Sequence, residues 1–184
     1  MTFNEFIERE TRQDDANQTR PNEEGLRKWL ARVSELHDMV KDIMSDYVKS
    51  GKVNIKTEDV ELYEELLGHY KVPQMTITFG DFGKFITLKP VGTYVIGAWG
   101  RVDMIGQNGG VIRLVLVDSR LKSPRVRVTI SVADEPVPQK VKTPQNQEEP
   151  ELVWRLATMP PKIEYIPITE KTFFEAVMEL FGYE

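Results

Sequence analysis

The chain has 184 residues, no cysteine and a formal net charge of −5. This length suits a single domain, or a domain with an added arm, and is enough to bury about 70% of the unfolded surface. The absence of cysteine excludes disulfides and thiolate metal sites and favours a cytoplasmic location. No apolar run approaches the roughly 18 residues of a membrane span, so we expect no membrane partner.

Charge is unevenly distributed along the chain. Residues 1–70 carry ten Lys and Arg against sixteen Asp and Glu, residues 84–132 carry eight against two, and residues 133–184 carry five against ten. The sequence therefore describes an acidic protein with a basic central block. Two interpretations are open: acidic helices pack on this block and neutralise it, or the block forms a face for a phosphate-bearing partner.

The first half of the chain is predicted to be helical. Residues 1–22 form a short helical arm and a polar linker, and a second, long helix runs from about Glu23 to Ser50, capped by Asn22. Its apolar stripe is wider than one small sheet needs, which predicts a homodimer. The expected self-association residues are Leu26, Leu30, Val33, Val40 and Met44. His37, the one polar residue on the stripe, is expected to be buried without a metal or catalytic role.

A shorter helix is predicted between the long helix and the sheet. Val53–Lys56 suggests a brief strand, after which Thr57 resembles a helix cap with acidic residues in the first turn. The apolar side chains that follow recur at helical spacing. They are Val60, Tyr63, Leu66, Leu67 and Tyr70. Gly68 and Pro73 would end this helix.

From Gln74 onward the apolar pattern has a period of two, which predicts strands. Short connections between the strands require antiparallel neighbours. The expected strands are Met75–Phe79, Lys84–Leu88, Thr93–Trp99 with Arg101–Ile105, Val111–Asp118, Arg125–Val132, Glu151–Thr158 and Ile163–Ile168. A C-terminal helix capped by Thr169 closes the chain. The prediction is an α+β domain over residues 23–184, with a sheet of six or seven strands and a Pro-rich surface excursion at 133–150.

Motifs for catalysis are scarce. The sequence has no cysteine, no nucleophile elbow, no phosphate-binding loop and only two separated histidines, so we expect no metal, no cofactor and no enzyme. The charged side chains of the basic block are the better candidates, as binding residues for a partner. They are Arg101, Arg113, Lys122, Arg125 and Arg127.

One constellation in the basic block points to an alternative. Asp103 follows Gly100 on one predicted strand, and Asp118 ends the next strand, two residues before Arg120. This pattern resembles the core of PD-(D/E)xK nucleases over about twenty residues. The resemblance implies that Asp103 and Asp118 bind Mg²⁺ and that Arg120 stands where the family has its lysine. Arginine cannot give up a proton, and a strand rather than the family's helix is predicted next, so the site would be degenerate.

Two functions are therefore expected from the sequence. The first is a non-catalytic interaction or assembly module that binds a protein partner and itself. The alternative is a protein that contacts nucleic acid through the basic sheet and carries a degenerate nuclease-like site. Aromatic residues among the basic ones would favour nucleic acid, but Tyr94 and Trp99 do not lie beside Arg125 or Arg127.

Overall fold

The computed structural model describes residues 2, 5, 22–81, 83–93, 95, 97–124 and 150–183. In this part of the chain seven strands form one antiparallel sheet, in which neighbours in sequence are neighbours in space. The elements are helix α1 (Glu23–Lys49), strands β1 (Val53–Glu64), β2 (Gly68–Phe79), β3 (Lys84–Gly92), β4 (Gly100–Gly106), β5 (Val111–Asp118), β6 (Leu152–Ala157) and β7 (Tyr165–Pro167), and helix α2 (Glu170–Leu180). The predicted α+β class and antiparallel sheet are confirmed.

Helix α1 begins where its capping signals predict. The side chain of Asn22 accepts a hydrogen bond from the Gly25 amide at 2.9 Å, and Glu23 and Glu24 lie in the first turn, at the positive end of the helix dipole. With 27 residues the helix is about 40 Å long. The side chains buried along its inner face are Trp29, Val33, Leu36, His37, Val40 and Met44.

The helix predicted after Thr57 is wrong, because these residues form a long β-hairpin. β1 pairs with β2 from Val53 opposite Phe79 to Glu64 opposite Gly68. Both strands direct apolar side chains toward the same core. The apolar residues before and after the tight turn are therefore three or four positions apart in sequence, which is also the spacing of one face of a helix. Val60 and Leu62 before the turn and Tyr70 and Val72 after it all pack in or against this core.

Pro73 does not interrupt the hairpin. It lies opposite Asp59 in β1, while the pairing of β2 with β3 starts only at Met75 opposite Leu88. A proline without an amide hydrogen is tolerated where one edge of a strand is unpaired. Pro73, which the sequence analysis interpreted as the end of a helix, instead lies at a position of β2 that pairs with β1 but not with β3.

Both helices cover the same face of the sheet. α1 packs on β1 and β2, and α2 packs on β4 and β5. The two helices also contact each other through an edge-on arrangement of Tyr47 and Phe174, whose ring centroids are 5.6 Å apart. The capping box at Thr169 and Thr172 fixes the predicted start of α2. The main hydrophobic core lies between these helices and the sheet.

Residues 22–124 and 150–183, so far as they are described, cover the opposite face only in part. Because side chains alternate along a strand, Val102 and Met104 of β4 are buried under the helices while Arg101 and Asp103 point to the other side. We call this second side the open face where it spans β3 to β6. It comprises Phe85, Thr87, Lys89, Arg101, Asp103, Ile105, Val111, Arg113 and Arg155. Beyond it, Val115, Val117 and Ala157 pack with Ala98, Ile163 and Tyr165 in a small second core.

Other strand predictions are mostly confirmed. β2 and β3 are antiparallel, as are β4 and β5 on either side of the turn at residues 106–110. β5 lies between two partners, and β7 with Pro167 forms an edge of the described sheet. Residues 93–99 form no strand where they are described, and show only one bridge between Val95 and Ala98. The predicted strand Arg125–Val132, the Pro-rich excursion and nearly all of the N-terminal arm lie outside the described residues. Neither described helix is apolar enough over a sufficient length to cross a membrane.

Candidate interaction surface

The basic residues of the open face are brought together by strand register. Lys89 of β3 lies opposite Asp103 of β4, which lies opposite Arg113 of β5. Neighbouring strands are about 4.8 Å apart, so the backbones at Lys89 and Arg113 are about 10 Å apart. Arg101 precedes Asp103 by two residues on the same face, and Arg155 follows one strand beyond Arg113. The face thus carries four cations against one carboxylate.

Asp103 is already neutralised by one of these cations. Arg101 donates from Nε to Oδ1 at 2.6 Å and from Nη2 to Oδ2 at 2.7 Å, and the two side chains are 25% and 13% exposed. Such a two-pronged, partly buried pair is strong and geometrically fixed. Asp103 is thus occupied by Arg101. Lys89, Arg113 and Arg155 make no ion pair in the described part of the chain. The helices, which carry much of the acidic charge, lie on the other side of the sheet and do not cover these cations.

Arg113 has an unmet hydrogen-bonding capacity. Its side chain is partly buried, and its Nε atom is buried without an acceptor in the described residues. A buried donor that lacks a partner costs about 1–3 kcal/mol. Arg113 therefore carries this cost within the fold while its charge stands on the open face without an ion pair in the described residues.

Sequence reasoning found part of this surface. Arg101 and Arg113 were predicted binding residues, and both lie on the open face. Arg155 was missed because it lies beyond the basic block, in an acidic stretch of sequence. The available signal was the alternation in β6, where Trp154 and Leu156 point inward and Arg155 outward. Lys89 was also missed, although its own strand shows the same alternation.

A groove extends the open face toward β7. Its volume is about 860 Å³, and its described lining includes the predicted binding residue Lys122 as well as Arg155, Ile163 and Tyr165. Burial raises the pKa of Tyr165, whose hydroxyl donates to the Gly97 carbonyl at 3.3 Å. Arg125 and Arg127, the other predicted binding residues, lie outside the described residues.

The strands do not bring the nuclease-like carboxylates together. Asp103 lies opposite Arg113, and Asp118 lies five residues further along β5, or about 17 Å at 3.4 Å per residue. An odd separation also places the two side chains on opposite faces of the sheet. Asp118 instead binds Arg120, with Nη2 to Oδ2 at 2.6 Å and Nε to Oδ1 at 2.9 Å. A shared metal between Asp103 and Asp118 is incompatible with this geometry.

A metal site is not visible elsewhere among the described residues either. Within that part of the chain, no three His, Asp or Glu side chains are arranged so that they could hold an ion. His37 is 3% exposed and lies on the buried side of α1, as expected for a histidine on an apolar stripe.

The predicted self-association residues lie in or against the chain's own core. Val33, Val40 and Met44 are buried there, and Leu26 and Leu30 are partly buried against it. The stripe is not surplus, because a seven-stranded sheet with a long hairpin offers more surface to cover than the sequence suggested. These five residues therefore have little surface to offer a second copy, and a dimer would need another contact.

Comparison with known proteins gives no relative for this chain. No protein-family model matches it, and neither curated proteins nor solved structures show significant similarity.

Proposed function

We propose that this protein is a non-catalytic interaction module that docks an acidic protein surface on its open face. The observation that carries the proposal is the set of three cations, Lys89, Arg113 and Arg155, that make no ion pair in the described chain and share one sheet face. Cations held in fixed register on a sheet can recognise carboxylates at matching spacing.

The composition of the face favours a protein over a nucleic acid. Phe85 and Val111 are exposed and Ile105 is partly exposed among the basic residues, so the face combines apolar side chains with arginines, and both aromatic residues and Arg are enriched at protein interfaces. Strong nucleic-acid binding draws on about 6–10 phosphate contacts and on stacking aromatic rings. The face offers fewer cations, one carboxylate and a single aromatic ring.

Separation of Asp103 from Asp118 supports a non-catalytic role. These carboxylates formed the one catalytic constellation suggested by the sequence, and each is instead held by a neighbouring arginine. What remains on the open face is a set of charges and apolar groups suited to recognition. Binding rather than chemistry is the activity that this arrangement supports.

Fluorescence anisotropy with three probes of equal length tests the proposal. The probes are a peptide of alternating Glu and Tyr, its Lys-Tyr counterpart and a single-stranded oligonucleotide, each measured at low salt. We expect the acidic peptide to bind best, and Lys89→Gln with Arg155→Gln to weaken it about tenfold, since a charged hydrogen bond contributes about 1.5–3 kcal/mol when it is well formed.

A matched control carries Lys49→Gln with Lys171→Gln. Both lysines are exposed on the helices, and their replacement removes the same amount of charge. This control should bind like the wild type. Tighter binding of the oligonucleotide, or equal weakening by the control pair, would show that the proposed function is wrong.

A further inference from the structure

We infer that the acidic surface bound by the open face belongs to a second copy of this chain. The complementary surface is the outer side of the β1–β2 hairpin, which we call the acidic hairpin surface and define by Asp59, Glu61, Tyr63 and Glu65. This inference rests on the proposed function, and it names the partner.

The acidic hairpin surface is exposed, and the exposed Lys71 on the paired strand lies opposite Glu61. Asp59, Glu61 and Glu65 are exposed, and none of them makes an ion pair with a described residue. Tyr63 is 63% exposed, and its ring lies 4.7 Å from that of His69 on the paired strand. Tyrosine is enriched at protein interfaces, and the carboxylates beside it supply the negative charge that the open face lacks.

The hairpin is held rigidly, which lowers the entropic cost of using it for recognition. On its inner side Val60, Leu62 and Tyr70 pack in or against the main core. At its end Glu64 accepts hydrogen bonds from the Thr93 amide at 2.8 Å and the Thr93 hydroxyl at 2.7 Å. A preorganised surface gives up little conformational freedom on binding.

The two surfaces carry net charges of opposite sign, with three cations on the open face and three carboxylates beside one lysine, Lys71, on the hairpin. Among the described residues, neither Lys89, Arg113 and Arg155 of the open face nor the three carboxylates of the acidic hairpin surface make an ion pair. Within one copy the two sets make no ion pair with each other, although only β2 separates β1 from Lys89 on β3. Each copy therefore offers both halves of a contact that it does not make with itself.

Two copies related by a two-fold axis would make this contact twice. The hairpin of each copy would reach the open face of the other, so all six charged groups on each chain would be used and the assembly would be closed. This arrangement does not involve the buried stripe of α1. It gives a dimer held by charge, and its dissociation constant should rise steeply with salt because exposed pairs are screened.

Sedimentation velocity on the full chain tests whether the contact exists. We expect a dimer at micromolar concentrations and low salt, with a dissociation constant that rises at least about tenfold between 0.05 and 0.5 M NaCl, where the Debye length falls below about 5 Å. A monomer up to about 500 µM at low salt would overturn the inference. The acidic peptide would still bind in that case, and the proposed function would stand.

Charge exchange between two variants tests which surfaces meet. One variant carries Lys89→Glu and Arg155→Glu on the open face, and the other carries Asp59→Lys and Glu61→Lys on the hairpin. Each variant alone should be monomeric, because like charges would face each other. An equimolar mixture should restore a heterodimer, since the reversed open face of one variant then meets the reversed hairpin of the other.

Circular dichroism confirms that each variant is folded before mixing, and the neutral pair Lys89→Gln with Arg155→Gln serves if a reversal impairs folding. The neutral pair should weaken the dimer about tenfold. A control with Lys49→Glu and Lys171→Glu makes the same net-charge change on the helices and should dimerise as the wild type does. The inference would be refuted if either reversed variant dimerised by itself, or if the mixture of the two variants remained monomeric.

Discussion

The indole ring of Trp29 occupies the space that a side chain at position 100 would need. A Cβ atom added to Gly100 would lie 2.4 Å from Cζ3 of Trp29, well inside contact distance. Trp29 also packs near Trp154, with ring centroids 6.2 Å apart, and Trp154 Nε1 donates to the Arg32 carbonyl at 2.9 Å. Gly100 is therefore what allows α1 to approach β4, next to the first residue of the basic open face.

Replacing Gly100 with alanine should destabilise the fold. The added methyl group must displace the Trp29 ring from a packed core, which costs about 1–3 kcal/mol. Urea denaturation measures the change. Gly110→Ala is the control, because its Cβ would lie 3.3 Å from Cδ2 of Leu180, the end of a flexible side chain, and we expect a change of about 0.5 kcal/mol or less. An equal effect of both substitutions would contradict the close approach.

Glu64 should be a stabilising residue despite its charge. Besides the two bonds from Thr93, it accepts a hydrogen bond from the Tyr70 hydroxyl, whose pKa is raised by burial and by this carboxylate. Glu64→Ala leaves these donors unpaired and should cost about 1–3 kcal/mol in the free energy of unfolding. Glu65→Ala, at the exposed neighbour, should cost little. Equal effects at the two positions would show that the hydrogen bonds contribute nothing.

His37 should make stability depend on pH. Burial, and secondarily the charge of Lys41, lowers its pKa to about 4, and its Nε2 atom has no acceptor in the described residues. The unfolded chain, with a pKa near 6.5, binds the proton more readily, so stability is complete above about pH 6.5 and falls as the pH drops toward 4. The loss should reach up to about 3 kcal/mol.

Urea denaturation between pH 7 and pH 4 measures this contribution. His37→Leu should reduce the slope of unfolding free energy against pH, because a side chain that cannot titrate replaces the buried imidazole. If His37→Leu shows the wild-type slope, then carboxylates and not His37 govern the acid response.

Divalent cations should not stabilise the protein through Asp103 and Asp118. The two carboxylates lie on opposite faces, about 17 Å apart along the strands, and no single ion can bind both. Thermal denaturation with Mg²⁺ or Mn²⁺ should give the same melting temperature as without it. A rise that disappears in Asp118→Asn would mean that the strands rearrange to form the nuclease-like site.

Local patterns in the sequence were sufficient for most of the sheet and both described helices. Period-two alternation identified β3 and β6, a run that is apolar on both faces identified β5, and capping residues located the starts of α1 and α2, because these signals depend on neighbours within a few residues. Alternation along β4 and β5 puts Arg101 and Arg113, which the sequence named as binding residues, on the outer side of their strands. Arg155 obeyed it equally, yet its position beside these residues follows only from the pairing of β5 with β6.

Tertiary structure decided what the local patterns left ambiguous. The residues after Thr57 have helical spacing, but pairing with β2 over twelve residue pairs and burial of both strands in one core make the hairpin the stable choice. Register across strands separated Asp103 from Asp118 and aligned Lys89 with Arg113. Such relations join residues that are distant in sequence, and their energies come from packing and pairing that no local window contains.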